Sequence, residues 1–284
     1  MCFLLLFINN GGSEDEYQLI VGMNRDEHFA RPTKPASIWH DTPTCVAGLD
    51  MKAGCEGGSW LAASSSGRIA ALLNVMSFID PSKKGRGQFV TNYVKDMSDC
   101  SNASIYMSNV IKNCTDYNNF HLVLIERKKG LFEVLNACSK EEDVVPNKLF
   151  DGCHALSNGT LSKPWVKTKV GKERFEDLMS KSCRTADKQL ILEGISQILC
   201  DEKSHLPDPN LEAACEKIGI CASRKSSICD TKPENLSKTR TQTVILVNRD
   251  GLCEYIEWTM CEPIQENWHE NTWQTNKYSF RMTN

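Results

Sequence analysis

The sequence predicts an α+β fold in which antiparallel sheets are covered by helices on their outer faces. Apolar runs of strand length occur in pairs around turn residues, which is typical of β-hairpins. Segments with a helical spacing of apolar residues stand in blocks between these pairs instead of alternating with single strands. The chain has 284 residues, enough for one large core, and we predict a single domain over residues 1–284.

The first hairpin brings the beginning of the chain into a sheet. Residues 2–8 and 17–23 are apolar runs, and the polar and glycine residues 9–12 separate them. Because the strands of a hairpin run antiparallel, Cys2 is expected beside the end of the second strand. Polar residues 24–27 follow at that point, so they are expected close to Cys2.

Three further hairpins and four helices complete the predicted elements. The hairpins are expected at residues 59–64 with 68–75, 120–126 with 131–136, and 240–247 with 252–258. The helices are expected at residues 88–97, 103–111, 163–178 and 187–199. The polar stretch 201–238 carries three prolines and is predicted to be an irregular surface excursion.

Charge and hydropathy exclude several classes of partner. Net charge is −3 with both signs scattered along the chain, so we expect no nucleic-acid partner. No apolar run approaches the roughly 18 residues that span a bilayer, and we expect no transmembrane segment and no signal peptide. The fourteen cysteines are therefore expected to stay reduced in a protein that is not secreted. They contain no Cys-x-x-Cys pair, and we expect no metal site.

Cys2 can combine two catalytic functions. If the residue before it is removed, Cys2 carries both a thiol and a free α-amine, and a small second residue favours that removal. The amine titrates near about pH 8 and the thiol near about pH 8.5, so the amine can accept the thiol proton without a histidine. The alternative interpretation is that Cys2 is the first residue of a buried strand.

Charged residues at the end of the second strand supply further candidates. An arginine such as Arg25 lowers the pKa of a neighbouring thiol, and an aspartate such as Asp26 can orient an α-amine. The alternative interpretation is a charged exit from the strand, with both side chains paired to neighbours.

Two asparagines follow later apolar strands. The side-chain amide of Asn74 or Asn158 could stabilise an oxyanion, although asparagine at a strand end is also a common turn residue. Arg240 precedes the last predicted hairpin and supplies a further cation, with an exposed surface arginine as the alternative.

These residues belong to an ordered set of motifs along the chain. The set consists of Met1-Cys2, Asn24-Arg25-Asp26-Glu27 with Arg31-Pro32, Gly48-Leu49-Asp50, Gly57-Gly58-Ser59-Trp60-Leu61, residues 70–74, Gly85-Arg86-Gly87, Leu156-Ser157-Asn158 with Pro164-Trp165, and Thr239-Arg240-Thr241. It resembles the NRDE family, and within that family the group named for transport and Golgi organization. The resemblance extends from Cys2 to about Phe280.

The resemblance implies an N-terminal-nucleophile hydrolase-like fold, a four-layer αββα sandwich, with Cys2 at the nucleophile position. By similarity to cysteine-type members of that superfamily, such as choloylglycine hydrolases, it also implies the other site residues. They are Asn24, Arg25 and Asp26 near the thiol and amine, Asn74 and Asn158 near an oxyanion hole, and Arg240 at the rim. Arg25 and Asp26 are adjacent here, whereas those hydrolases space their arginine and aspartate apart.

For function, the resemblance implies an intracellular heme trafficking factor that mobilises heme from mitochondria or heme-rich compartments, with a link to lipid homeostasis. The expected partner is heme or a lipid-like small molecule, no cofactor is required, and heme would be transported cargo. His28 and His154 are the candidates for heme contact. The expected location is the cytoplasm or the mitochondrion, with a possible association with the Golgi. The alternative function is a Cys2-dependent amidohydrolase acting on an amide, lactone or thioester.

Overall fold

Two antiparallel sheets form the centre of the computed structural model, which describes residues 2–39, 43–96, 102–232 and 237–283. In spatial order, the first sheet consists of β10 (Gly152–Leu156), β1 (Phe3–Ile8), β2 (Tyr17–His28), β11 (Ser237–Asn248), β12 (Leu252–Met260) and β13 (Trp273–Arg281). The second consists of β3 (Thr33–Trp39), β4 (Cys45–Asp50), β5 (Leu61–Ser64), β6 (Arg68–Asn74), β7 (Phe120–Lys128), β8 (Leu131–Cys138) and β9 (Asn147–Leu149).

Helices cover the outer face of each sheet. The helices α1 (Gln88–Lys95) and α2 (Ala103–Lys112) pack on the second sheet, and α3 (Val166–Lys181) and α4 (Lys188–Leu199) pack on the first. A third apolar cluster fills the space between the sheets. The layers therefore follow the order αββα, which confirms the predicted α+β class and its sandwich architecture. A short helix, α5 (Pro209–Glu216), completes this set of elements.

The first strand is apolar on both faces because both faces are buried. Phe3 and Leu5 pack against the helices, whereas Cys2, Leu4 and Leu6 belong to the core between the sheets. Successive side chains of a strand point to opposite faces, so a strand in an inner layer needs apolar residues at every position. Cys2 thus faces the second sheet.

Several boundaries differ from the predictions. Strand β2 continues five residues beyond the predicted end at Met23, because β11 pairs with the polar residues as well. The first predicted helix ends at Lys95, and residue 97 of that prediction lies outside the described residues. No helix in the described ranges is both long and apolar enough to cross a membrane.

The segment predicted as a surface excursion, 201–238, is in part buried in the protein interior. It contains α5, and residues 226–230 are almost completely buried. The backbone N–H of Thr239 donates to the carbonyl of Asp230 over 2.9 Å, and Asn24 donates to the carbonyl of Ile228 over 3.3 Å. Hydrogen bonds to the first sheet hold this run in the interior, which the polar composition of the segment does not reveal. Residues 233–236 of the segment lie outside the described residues.

Candidate active site

A cavity of about 220 Å³ opens where Cys2 meets the second sheet. Both sheets and two loops contribute to its wall, so its residues are far apart in sequence. It is lined by Cys2, Arg25, Asp26, Glu27, Arg31, Asp50, Lys52, Cys55, Ser59, Trp60, Leu72, Asn74, Ile79, Asp80, Pro81, Lys83, Lys84, Gly85, Arg86, Gly87 and Asn118.

The Cys2 thiol lies at the buried base of this cavity. Phe3 is level with Asn24 on β2, which places Cys2 beside Arg25. Burial raises the pKa of the Cys2 thiol, while a hydrogen bond from the backbone N–H of Asp26 and the positive charge of Arg25 lower it. Because burial is the largest of these effects, the thiol is protonated at neutral pH and requires a base before it can attack.

Strand alternation divides the polar residues at the end of β2 between two faces. Arg25 points toward the second sheet, where its guanidinium carbon lies 4.0 Å from the ring centroid of Trp60. Its Nη1 donates to Thr33 Oγ1 over 3.1 Å, and its Nη2 lies 3.5 Å from a carboxylate oxygen of Glu27. Burial lowers the pKa of Arg25. These contacts hold a buried cation at the cavity wall.

Asn24 faces the helical layer and does not line the cavity. Its Nδ2 donates to the carbonyl of Leu199 over 2.7 Å and to that of Ile228 over 3.3 Å. Its Oδ1 accepts a 3.1 Å hydrogen bond from Gln242 Nε2. The hydrogen bonds of this amide therefore connect helix α4 and the buried run 226–230 to the sheet.

Asp26 also turns its carboxylate away from the second sheet. Oδ1 accepts a 2.6 Å hydrogen bond from Thr239 Oγ1. Burial raises the pKa of Asp26, and nearby Lys167 acts in the opposite direction. Asp26 thus contacts Cys2 through its backbone N–H on one side, while its carboxylate belongs to a buried charged group on the other.

The second sheet contributes Asn74 at the end of β6. Asn74 lines the cavity with Cys2, and no described residue takes a hydrogen bond from its side-chain amide. Asn158 does not line this cavity; its Nδ2 donates to the backbone carbonyl of Asn74 over 2.7 Å. Of the two asparagines, Asn74 therefore lines the Cys2 cavity, and Asn158 holds the strand end that carries it.

A close backbone contact forms another part of the wall. A Cβ added to Gly58 would lie 2.9 Å from the Cα of Gly87, and one added to Gly87 would lie 2.9 Å from the Cα of Gly58. The backbone N–H of Ser59 donates to the carbonyl of Gly87 over 3.1 Å. Only glycine permits this approach, which fixes the loop bearing Arg86 against the strand that follows Trp60.

Arg240 supports the site from outside the cavity. Its Nη1 donates to the carbonyls of His28 and Arg31 over 2.9 and 2.8 Å, and its Nη2 lies 3.0 Å from Glu262 Oε1. Arg31 in turn pairs with Asp50 over 2.5 Å at the cavity wall. Arg240 is thus buried beneath the turn that presents Arg31, instead of standing at an open rim.

The two histidines predicted to contact heme lie apart from Cys2 and from each other. His28 is exposed, and its Nδ1 accepts a 3.1 Å hydrogen bond from the backbone N–H of Ala30. His154 on β10 is level with Leu6 and Val21, so seven residues of β2, or roughly 23 Å, separate the two histidines along the sheet. They cannot ligate the same iron. His154 lines a different cavity, of about 250 Å³.

Sequence analysis assigned no role to several residues of the Cys2 cavity. These residues are Arg31, Asp50, Cys55, Trp60 and Arg86. All but Cys55 occur in the ordered motifs of the sequence, so the motif set contained the signal although no chemical role followed from it. Among the described residues, no cluster of three or more His, Cys, Asp or Glu side chains could hold a metal ion.

Solved structures that resemble this chain at low sequence identity include hydrolases. The Caenorhabditis elegans ortholog of N-acylethanolamine-hydrolyzing acid amidase matches with a TM-score of 0.44 and 10% identity, over 99% of this chain and 100% of that chain. A conjugated bile acid hydrolase from Clostridium perfringens matches with a TM-score of 0.42 and 10% identity, over 100% of this chain and 98% of that chain.

Comparison with protein sequences finds relatives that match over nearly their full length. The human transport and Golgi organization protein 2 homolog is 31% identical over 92% of this chain and 94% of its own length. The corresponding Drosophila melanogaster protein is 29% identical over 92% of each chain. The sequence profile of Transport and Golgi organisation 2 matches residues 1–262. The chain therefore belongs to the Transport and Golgi organisation 2 family.

Proposed function

We propose that this protein is an N-terminal-nucleophile hydrolase in which Cys2 attacks the carbonyl carbon of an amide, lactone or thioester. The observation that carries the proposal is the position of the Cys2 thiol, at the base of a cavity that Arg25 and Asn74 also line. Cleavage of the peptide bond before Cys2 would supply the base, because it leaves an α-amine on the same residue.

The raised pKa of the Cys2 thiol supports a mechanism in which the thiol is the nucleophile and the α-amine is the base. A thiol that burial keeps protonated needs a base in the transition state. The α-amine of Cys2 can reach the thiol because both groups belong to the same residue. The amine takes the thiol proton as sulfur attacks the carbonyl carbon, and the Asn74 amide donates a hydrogen bond to the oxyanion. The ammonium then returns the proton to the leaving group. Water, deprotonated by the amine, hydrolyses the acyl-enzyme and regenerates the thiol.

The charges of the cavity favour a substrate with an anionic group. Six cationic residues line it, whereas the carboxylates on this side are those of Glu27, Asp50 and Asp80, which leaves an excess of positive charge. Three lining cations are paired: Arg31 with Asp50, Arg25 with Glu27 and Lys84 with Asp116. The other three, Lys52, Lys83 and Arg86, have no carboxylate of a described residue within 4.0 Å. A volume of about 220 Å³ accommodates the reacting group and a short acyl chain.

Esterolysis by protein that begins at Cys2 tests the proposal. The full chain is produced by cleaving an N-terminal fusion before Cys2, and p-nitrophenyl acetate and a p-nitrophenyl ester with a terminal carboxylate serve as probes. We expect a burst of p-nitrophenol that disappears in Cys2→Ala and in protein that retains a residue before Cys2. The exposed Cys221→Ala variant is the matched control and should keep the burst. An unchanged burst in Cys2→Ala would overturn the proposal.

As a second candidate function, we propose the trafficking of heme or a lipid-like molecule in the cytoplasm, the mitochondrion or at the Golgi. The names of the relatives, which refer to transport and Golgi organization, support a transport role. The supporting structural observation is the 250 Å³ cavity beside His154, which is lined by Leu149, Leu156 and Leu161 and also by His121. His154 Nε2 lies 2.7 Å from the carbonyl of Phe150, so Nδ1 is the nitrogen left for iron.

Heme titration separates this candidate from hydrolysis. A Soret shift on adding hemin to the full chain, weakened in His154→Ala and unchanged in His28→Ala and Cys2→Ala, is the expected result. Equal heme binding by wild type and His154→Ala would remove His154 as the contact residue. Loss of binding in Cys2→Ala would instead make the thiol the ligand.

A further inference from the structure

A buried group of charged residues lies behind Cys2, on the helical side of the first sheet. Asp26 from β2, Lys167 from α3 and Asp230 from the buried run 226–230 are 6%, 2% and 2% exposed. They come from three separate elements, and the esterolysis mechanism above uses none of their side chains. Charged side chains are almost never buried to this extent without partners.

Hydrogen bonds connect the two aspartates. The hydroxyl of Thr239 donates to Asp26 Oδ1 over 2.6 Å, and it accepts the backbone N–H of Asp230 over 2.9 Å. Lys167 Nζ donates to the carbonyl of Ser227 over 2.8 Å, which ties the ammonium to the buried run 226–230. Asp26 and Asp230 are both near enough to interact with its charge. The group is thus held by the packing of α3 against the first sheet.

Further cations stand at the edge of the group. Lys225 Nζ lies 3.3 Å from Asp230 Oδ2, and Lys232 is close enough to repel Lys167. Burial lowers the pKa of Lys167 to about 8, while Asp26 and Asp230 raise it. Lys167 therefore remains mostly charged at neutral pH. The Cys229 thiol also borders Asp26, and its pKa is raised by burial, so it stays neutral.

The charge balance of this group bears on the α-amine of Cys2. Two buried carboxylates would by themselves stabilise an ammonium at Cys2 and make it a poor base. The ammonium groups of Lys167 and Lys225 offset the charge of these carboxylates. Lys232 near Lys167, and Arg25 on the inner side of Cys2, add further positive charge. A proton on the α-amine would then add net positive charge to a buried site, which favours the neutral amine.

We propose that Lys167 is a positioning residue whose buried ammonium, near Asp26 and Asp230, keeps the α-amine of Cys2 neutral and able to accept the thiol proton. This inference rests on the proposed function, because only a Cys2 with a free amine needs it. Lys167 does not touch the substrate; it acts through Asp26.

The test removes either a cation or an anion from the group and measures the pKa of the Cys2 α-amine. The full chain beginning at Cys2 is labelled with ¹⁵N-cysteine, and the α-amine resonance, which is distinct from the backbone amides, is followed against pH. Lys167→Met removes a cation from beside the carboxylates and should raise the pKa of the amine by on the order of one pH unit. Asp230→Asn should lower it. The double variant K167M/D230N and the charge-conserving Lys167→Arg should return it toward the wild-type value.

Several outcomes would overturn the inference. The amine pKa of Lys167→Met could equal that of wild type, or both single variants could shift it in the same direction, as a purely structural disturbance would. If Lys167→Met does not fold, the opposite shift in Asp230→Asn still decides the matter. The titration needs no turnover, so an absent ester burst with the expected amine shifts would overturn the proposed function and leave the charge balance standing.

Discussion

The two faces of strand β2 differ where the strand passes Cys2. On the inner face, Arg25 stacks on Trp60 at the wall of a cavity. On the helical face, the Asn24 amide donates hydrogen bonds to backbone carbonyls, and the Asp26 carboxylate belongs to a buried group of charged residues. Adjacent polar residues in one strand therefore have different surroundings, Arg25 at the cavity and Asn24 and Asp26 in the packed protein interior.

This difference follows from the position of the strand in the sandwich. Because β2 is an inner strand of a buried sheet, each polar side chain needs a partner on its own face. A polar residue that faces the helices can be satisfied by carbonyls of α4 and of the run 226–230. One that faces the second sheet meets a cavity, where solvent and substrate can enter. Variants on the two faces should consequently change different measured properties.

Asn74→Ala is expected to have the largest effect on the inner side. Removing one oxyanion donor lowers acylation by about 100-fold, since the hydrogen bond to the oxyanion is lost in the transition state. The rate of Cys2 acylation by p-nitrophenyl acetate measures this effect. Alkylation of Cys2 by iodoacetamide forms no oxyanion and should change little. An equal loss in both reactions would show that Asn74 acts on the thiol instead.

Asn24→Ala should change stability and leave the chemistry intact. The substitution leaves the buried carbonyls of Leu199 and Ile228 without this donor, which we expect to lower the free energy of unfolding by about 2–3 kcal/mol. Urea unfolding measures this loss, and the exposed Asn147→Ala on an edge strand is the control, expected to change it by less than about 0.5 kcal/mol. Reduced Cys2 alkylation with unchanged stability would contradict the separation of the faces.

Glu257 on strand β12 also lies between the two sheets, and its titration makes the stability of the protein depend on pH. Its Oε1 accepts the backbone N–H of Ala36 across the sheets over 2.7 Å, and burial raises its pKa to about 7. The folded protein therefore holds this proton up to a higher pH than the unfolded chain does, and stability falls as pH rises from about 4.5 to about 7.

Glu257→Gln should remove this component of the pH dependence. Relative to wild type, the variant should gain about 2 kcal/mol in free energy of unfolding between pH 5 and pH 8. Urea unfolding at both pH values, with wild type beside the variant, gives the comparison. A difference between the two proteins that stays constant with pH would show that Glu257 does not titrate in this range.

Arg25→Lys is the smallest change that we propose. The lysine keeps the charge and loses the planar contact with Trp60 and the hydrogen bond to Thr33, so Cys2 alkylation should slow by about threefold. The rate of iodoacetamide labelling of Cys2, followed by peptide mapping, measures it. A change in unfolding free energy without a change in labelling would assign Arg25 to packing alone.

The fold could be predicted mainly where structure is local. Hairpins with clear turns and helices with apolar spacing can be recognised, and their block order predicts antiparallel sheets covered by helices, whereas the four-layer order of the sandwich was implied by the family resemblance. Strand β13 was missed because it lies at a sheet edge and alternates between exposed and partly buried polar residues. The end of β2 was missed because polar residues continue a strand only when distant segments satisfy them, here β11 and α4.

The candidate site was predictable in part for the same reason. The proximity of Cys2 and Arg25 follows from one hairpin, and the structure places them together. The direction of each neighbouring side chain depends on where β2 really ends, so Asn24 and Asp26 could not be separated from Arg25 by sequence. The positions of Trp60 and Arg86 depend on contacts between loops distant in sequence, which only the folded chain brings together.

Backbone contact between Gly58 and Gly87 determines how this site can diverge. A wall made by main chain against main chain cannot be widened by a change of rotamer or by trimming a side chain. Substitutions nearby alter which charges and hydrogen-bonding groups face Cys2, while the spacing between the two loops stays the same. At this wall, substitutions would therefore change which charges and hydrogen-bonding groups a ligand meets. A larger ligand would require a change in the length of one of the two loops.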